Sequence, residues 1–504
     1  MMRMSETRMR IAVVGGGPGG LFLATLLRRA DPGFAVTVFE RNRADDTFGF
    51  GVVFSDRTLA GIHAADPVVR EALARHGRHW DDIEVRLKGE RIRCGGNGMA
   101  AIARRTLLAL LQDRAHEAGA ELRFEHEVEL DDLDGYDLVV AADGTGSRIR
   151  ERLAERLRPS VHTAAAKFIW FGTDYMFDGL TFVHERSPHG VFAVHGYPIS
   201  ADVSTFIVET DEASWRAAGL DGFDDDAPPG RSDLVSKAYL EELFAGQIDG
   251  RRLLVNNSRW GNFRTRRTER WWTREPRPVA LLGDAAHTAH FSVGSGTKMA
   301  MEDAVALSSA LCAHPGDLGE ALAAYQDAAQ PSVDAIQDSA RPSLSWWEHF
   351  GRYHDAFEPW QFAFHFLSRS ITDARLARRA PGFVRATHAA WRARHGAEPL
   401  DSPLRVNGHE LPGRLVNGEP PGTIRLRAPS DEAGLPAARE LLASAVAAGA
   451  GLVAVHGGTS LNRMLLTEEA RLVYGVPSLL VDHELDTDRA VTAVLSGRAD
   501  LVAR

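Results

Sequence analysis

The chain has 504 residues, 44% hydrophobic and 25% charged, enough for two to four domains at roughly 150 residues each. A net charge of −10 disfavours a nucleic-acid partner, because that field repels a phosphate backbone. Two cysteines, Cys94 and Cys312, form no CxxC pair, so no metal site is expected and a reducing cytoplasm is. The basic start MMRMSETRMR runs into a short IAVVGGG segment, which reads as a first strand and not as a signal peptide. No stretch approaches the ~20 apolar residues of a membrane span.

Ile11–Val14 predicts a strand, Leu21–Arg29 a helix and Ala35–Phe39 a second strand, the opening of a parallel sheet. Apolar spacing predicts a helix over 103–118, followed by a strand Asp137–Ala142. Between 166 and 210, KFIWFGTDY, LTFVHE, GVFAVHGYPI and VSTFIVET are aromatic and β-branched, and predict a mostly antiparallel sheet. PVALLGD (278–284) returns to the parallel sheet, a helix follows over 298–312, and 317–395 reads as largely helical. A Pro- and Gly-rich loop over 396–430 marks a boundary, and 431–504 carries two helix–strand alternations.

The fold class is therefore α/β. A Rossmann-like domain is formed discontinuously by 1–165 and 270–345, with a β-sheet substrate domain, 166–269, inserted into it. A helical segment, 346–395, and a small β/α domain, 400–504, complete the expected division.

Gly15, Gly17 and Gly20 form GxGxxG after a strand and at the start of a helix. Glycine there permits a tight turn, close approach of backbone to a pyrophosphate, and close helix packing. Glu40, with Arg41 beside it, closes the second strand, where a carboxylate can accept from a ribose hydroxyl. The clusters GGNG (95–98) and HGG (456–458) lack the strand–helix setting, so one dinucleotide is held tightly and any second one binds elsewhere or only transiently.

DLVVAADGTGSRIR (137–150) and GDAAHTAHFSVGSGTKMAMEDAVAL (283–307) resemble two fingerprints of the flavoprotein aromatic hydroxylases of the para-hydroxybenzoate hydroxylase class. The helix carrying Arg104 is similar to the one that supplies an arginine to FAD in that class. The resemblance implies that Arg104, Asp143, Gly144, Gly283 and Asp284 serve the FAD, and that Gly294, Gly296 and Thr297 face its pyrimidine edge. The class often has a proline soon after GDAAH, where this chain has His290, Phe291 and Ser292.

GFGVVFSD (49–56), KFIWFGTD (167–174), GVFAVHGYP (190–198), STFIVET (204–210) and NSRWGNFRTRRTERW (257–271) resemble the aryl-CoA branch of the class, which acts on salicylyl-CoA and 2-aminobenzoyl-CoA. This implies tightly bound FAD, transient NADH or NADPH, dioxygen, and ring hydroxylation of an aryl-CoA thioester through a flavin hydroperoxide. PLRVNGHELPGRLV (403–416) resembles the opening of an old-yellow-enzyme-like barrel. A whole barrel needs ~250 residues, so the resemblance implies a vestigial domain, a cap or a homodimer contact.

His195 and Tyr197 share a strand face and are candidates for orienting a ring substituent; a satisfied sheet position is the alternative. His290 and Phe291 are candidates for lining the ring site, and His287 reads as a structural hydrogen-bonder. Seven arginines, Arg259, Arg264, Arg266, Arg267, Arg270, Arg274 and Arg277, read as an ion-paired surface or as holders of CoA phosphates. Trp346, Trp347, Phe350 and Tyr353 read as helix packing or a roof over the site. Two other functions stay open: hydroxylation of a free or carrier-bound aromatic, and a non-enzymatic flavin-binding redox sensor.

Overall fold

The computed structural model describes all residues except 1–8, 48, 56–58, 224–229 and 292–293. The N-terminal MMRMSETR, Asp56 and Ser292, which entered the sequence readings, lie outside the described residues. Among the described residues no helix is long and apolar enough to cross a membrane. The chain divides into two compact units. The first takes in Met1–Asp81, Gly98–Thr181 and Ala193–Leu344; the second takes in Asp82–Asn97, Phe182–Phe192 and Ser345–Arg504.

The first unit opens with β1 (Arg10–Val14), α1 (Pro18–Ala30) and β2 (Ala35–Phe39). Helix α2 (Arg104–Glu117) and strands β3 (Glu121–Arg123) and β4 (Leu138–Ala141) follow. Next come β5 (Pro159–Thr173), β6 (Gly190–Pro198), β7 (Ser204–Thr210) and β8 (Gly261–Thr268). Strands β9 (Trp272–Thr273) and β10 (Val279–Leu281) and helix α3 (Gly296–Ala313) complete the unit's main elements.

One sheet has the order β9-β10-β4-β1-β2-β3, parallel except for its β9 edge. Its central strands are runs of Val, Ile, Leu and Ala with no polar alternation, as two covered faces require. Ile11, Val13, Leu138, Val140 and Leu281 are all fully buried, and α1 adds Leu21, Phe22 and Leu27 to the same core. In the second sheet β5 pairs β8 and β7, and β7 pairs β6, all antiparallel. A three-stranded sheet joins Gly51–Ser55, Met99–Ala103 and Arg78–Trp80.

In the second unit, Ile83–Leu87 and Glu90–Cys94 pair as a hairpin. Helix α4 (Leu318–Ala356) enters this unit at Ser345 and carries Trp346, Trp347, Phe350 and Tyr353, each 3% exposed or less. These rings pack with Phe362, Phe366 and His184. A buried polar network lies beside them. Trp346 Nε1–H donates to His365 Nδ1 at 2.9 Å, which leaves the ring proton on Nε2, 3.3 Å from Glu468. Tyr353 also donates to Glu468, at 2.5 Å, and Arg352 and Arg498 each lie 3.5 Å from that carboxylate.

The C-terminal hundred residues differ from their sequence reading. Three helix–strand alternations are present where two were expected, and the 396–430 segment contains strands. Strands β11 (Leu415–Val416) and β12 (Thr423–Arg427) precede α5 (Leu435–Ala447), β13 (Leu452–His456), α6 (Ser460–Leu472), β14 (Ser478–Val481), α7 (Thr487–Leu495) and β15 (Leu501–Ala503). They form one parallel sheet in the order β11-β15-β14-β13-β12. Strand β11 has only two residues and takes its partner from the far end of the chain, so no local periodicity announces it.

Candidate active site

Strand β1 stops at Gly15, whose φ of +115° and whose N–H, donating to Phe39 O at 2.8 Å, make the turn toward α1. A Cβ at Gly15 would meet Ala142 O at 2.2 Å, and one at Gly20 would meet Gly15 O at 2.3 Å. Those two glycines are therefore demanded by the fold. Gly17 is different. Its φ of −74° suits any residue, and a Cβ there would meet no atom within 4 Å. It is the N-cap of α1, yet no side chain caps that end. The helix N-terminus is left pointing its N–H groups into open space, the arrangement that binds a pyrophosphate.

That space is a cavity of about 710 Å³. Gly15, Gly17, Gly20, Glu40, Arg41, Arg104, Asp143, Gly144, Gly283, Asp284, Gly296 and Thr297 all line it. Gly294 does not. Its φ is +62°, and a Cβ there would meet Val53 at 3.2 Å. The Glu40 carboxylate is held in place by Gly16 N–H and by Asn42, each at 2.8 Å. Gly144 and Gly296, like Gly17, have no protein atom where a Cβ would go.

Burial pushes the Asp143 carboxyl above its ordinary range, and its Oδ1 is buried with no hydrogen-bond partner. Burial likewise raises Asp284 and lowers Arg104, although the two charges face one another and oppose both shifts. Empty glycine positions, an orphaned carboxylate oxygen and an uncapped helix fit a bound FAD: diphosphate at α1, hydroxyl-rich linker at Asp284.

Two residues stitch the fingerprints together. Arg150, 1% exposed, donates to Thr145 O at 2.9 Å and to Ala285 O at 3.0 Å, joining motifs 135 residues apart. Asp303 on α3 accepts from Gly283 N–H at 2.9 Å and lies 2.7 Å from His287 Nε2. Burial works to lower the His287 pKa, but Asp303 outweighs it and holds it above the usual range. His287 thus serves the turn. Arg150 stood inside a quoted motif, but nothing in its spacing announced a buried tie.

The aromatic side of the site follows from strand register. Tyr197 pairs Thr205, His195 pairs Ile207, and Ala193 pairs Glu209, while Phe168 pairs Glu209 and Trp170 pairs Ile207 from the other neighbour. Alternation puts all of these on one sheet face. Phe291 packs against that face, with ring centroids 5.1 Å from Phe168, 5.7 Å from Trp170 and 5.6 Å from His195. His290 lies 4.9 Å from Phe263, ring to ring. Tyr197 stacks on Trp80, and burial pushes its pKa up to about 12. Arg104 interacts electrostatically with both Tyr197 and Asp284, so the cofactor cavity and the aromatic face share a residue.

The arginine segment splits. Arg267, Arg270, Arg274 and Arg277 pair with carboxylates, whereas Arg259 and Arg264 make no ion pair among the described residues. Arg259 also lines the cavity.

Comparison with known proteins agrees with this geometry. The family model described as an FAD binding domain matches residues 8–340. Salicyloyl-CoA 5-hydroxylase of a Streptomyces species is 56% identical, over 98% of this chain and 99% of its own length. The 3-hydroxy-4-methyl-anthranilyl-[aryl-carrier protein] 5-monooxygenase of Streptosporangium sibiricum is 38% identical, over 64% of this chain and 84% of its own. In fold, the chain is similar to 2-methyl-3-hydroxypyridine-5-carboxylic acid oxygenase, with a TM-score of 0.54 and 20% identity over 72% of this chain and 98% of that one. With its glycine cradle, its Asp-Gly and Gly-Asp turns and its aromatic sheet face, the chain belongs to the FAD-binding-domain family of flavin-dependent aromatic monooxygenases.

Proposed function

We propose that the protein is an FAD-dependent, NAD(P)H-consuming monooxygenase that hydroxylates the ring of an aryl-CoA thioester of the salicyloyl type. The observation that carries this reading is the end-to-end likeness to salicyloyl-CoA 5-hydroxylase, together with an aromatic face that meets the cofactor cavity at Arg104. Bound FAD supplies the hydride acceptor and the oxygen-activating group. Glu40 would hold its ribose, the α1 N-terminus and Gly17 its diphosphate, and Asp143 and Asp284 the linker between.

The chain's own residues position the substrate and keep water out. Phe168, Trp170 and Phe291 offer ring faces to an aromatic substrate. Tyr197 stays protonated at neutral pH and donates a hydrogen bond to a ring substituent or the thioester oxygen. His195 and His290 stand beside Phe291 as proton carriers. Arg259 and Arg264, without carboxylate partners, would take CoA phosphates. A carrier-bound substrate is the second reading, favoured by the Streptosporangium relative.

The C-terminal sheet is read as a barrel remnant without its own cofactor. Its strands β12 to β15 lie in chain order, and β11 sits beside the last, the neighbour relation of a closed β/α barrel. The protein would work in the cytoplasm, where CoA thioesters and nicotinamides are available.

The test is NAD(P)H oxidation by the purified flavoprotein with salicyloyl-CoA, 2-aminobenzoyl-CoA and the free acids, with products weighed by mass spectrometry. Turnover and one added oxygen with salicyloyl-CoA, and none with the free acids, are expected. Equal turnover of the free acids would remove the CoA assignment, and no turnover with FAD bound would remove both.

A further inference from the structure

The aromatic face carries one carboxylate, Glu209. Glu209 is 1% exposed, on a face it shares with Phe168, Trp170, His195, Tyr197, Thr205 and Ile207. A buried carboxylate away from water is costly unless charge or hydrogen bonds compensate it. Here its two oxygens address two different histidines. His195 Nε2, from the neighbouring strand β6, is 2.8 Å from Oε1. His290 Nε2, from the loop after the Gly-Asp turn, is 3.8 Å from Oε2, within ion-pair range but beyond a hydrogen bond. Both imidazoles are buried, at 3% and 2% exposure, and both contact Phe291. The other ionisable groups on this side are Tyr197 and Arg104, further along the same face toward the cofactor cavity.

We infer that Glu209 is a positioning residue that makes His195 the base for a ring hydroxyl, with His290 as the second proton station. This deepens the reading of the protein as an aromatic hydroxylase and rests on it. The carboxylate stands at ion-pair distance from His195 and favours the protonated, cationic form of its ring. When a phenolic hydroxyl binds, its O–H bond breaks and the proton forms an N–H bond on the His195 ring. The oxygen keeps the electron pair and the ring becomes electron-rich. Glu209 stabilises the imidazolium that results, and its second oxygen faces His290 at 3.8 Å. An aromatic amine offers the same shape but holds its proton far too tightly for imidazole to remove. The constellation therefore selects hydroxyarenes over aminoarenes at the activation step, while binding both.

The experiment compares wild type with Glu209→Gln and Glu209→Ala, each as the FAD-loaded protein. Ionisation of a bound salicyloyl-type hydroxyl is titrated by difference absorbance in the oxidised enzyme, and kcat/KM is measured against pH. In Glu209→Gln the bound hydroxyl should ionise at higher pH, and kcat/KM should fall about 100-fold at neutral pH and recover in part in base. Thermal midpoint, FAD content and KM should stay near wild type, and the 2-aminobenzoyl analogue should bind as before. The same titration curve and pH profile in Glu209→Gln as in wild type would overturn the inference. So would a loss of FAD or folding equal to that of Glu209→Ala, which would make Glu209 structural. If wild type turns over only free hydroxyarenes, the thioester reading fails, and the same comparison is run on the free acid.

Discussion

Two glycine turns in this chain each lead from a parallel strand into a helix, and only one of them is left unfinished. At Gly15–Gly20, the helix end has no side-chain cap, and Gly17 faces space that no protein atom fills. At His456–Gly458, the protein fills its own turn. A Cβ at Gly458 would meet Pro429 O at 2.3 Å, Thr459 caps α6 by accepting from Asn462 N–H, and Arg463 donates to the carbonyls of Gly457 and Gly458. A cofactor cradle is recognised by the polar groups that a fold leaves unsatisfied, more than by its glycines.

Substitution at the two turns breaks this comparison most sharply. Gly17→Val adds a side chain at the cavity wall, and its Cβ meets no protein atom within 4 Å. It should keep the thermal midpoint and weaken FAD binding by about 100-fold or more, roughly 3 kcal/mol, read as flavin absorbance of the purified protein. Gly458→Val should do the reverse, lowering the stability of the second unit with FAD content unchanged. If Gly458→Val strips the flavin, or Gly17→Val retains it, the distinction between the turns is wrong.

The units also differ in their buried charges. Burial alone would raise Glu468, yet His365, Arg498 and Arg352 pull it down to about 2. Glu468→Gln should cost about 3 kcal/mol in a urea melt of the second unit, because it strands two buried arginines. Five histidines of that unit are held down by burial, His184 to about 3 and His349, His354, His365 and His395 to about 4. The unfolded chain binds protons near pH 6.5 that the folded unit refuses until near pH 4. Stability is therefore full above pH 6.5 and falls on acidification, by up to about 1.4 kcal/mol per pH unit per histidine. In the first unit His287 runs the other way. Its raised pKa makes its contribution complete in acid and lost as pH rises through the folded value. A melt followed by flavin fluorescence and tryptophan fluorescence between pH 7 and 4 should show the second unit failing first.

The smallest effects concern the arginine segment. Arg267→Ala removes exposed pairs to Asp334 and Asp338 and should change stability by less than about 1 kcal/mol, with KM unchanged. Arg259→Ala should raise KM for the CoA thioester about tenfold and leave kcat near wild type, the loss of one charge-assisted contact.

Much of the first unit was legible because its signals are local. Strand, glycine turn, helix and acidic strand end lie within residues 11–40, and the two later fingerprints are contiguous. Glu209 stands inside the quoted STFIVET strand, but its pairing with His195 and His290 depends on register and on a loop 81 residues away. Arg150 and Asp303 escaped for the same reason, since each acts on a motif distant in sequence. The two-residue strand β11 carries too few side chains to show a period, and its partner is the last strand of the chain.

The Arg150 tie has a consequence for how the protein is made. The βαβ opening leaves the ribosome first, but the wall it needs at Ala285 is synthesised nearly 250 residues later. At 5–20 residues per second that gap is on the order of ten seconds to a minute. During it the nucleotide end of the cradle exists without its floor, so flavin capture belongs to the late nascent chain. Shortage of the vitamin should therefore leave a chain stalled with its first sheet built and its last central strand unlatched, which is the species a chaperone would meet.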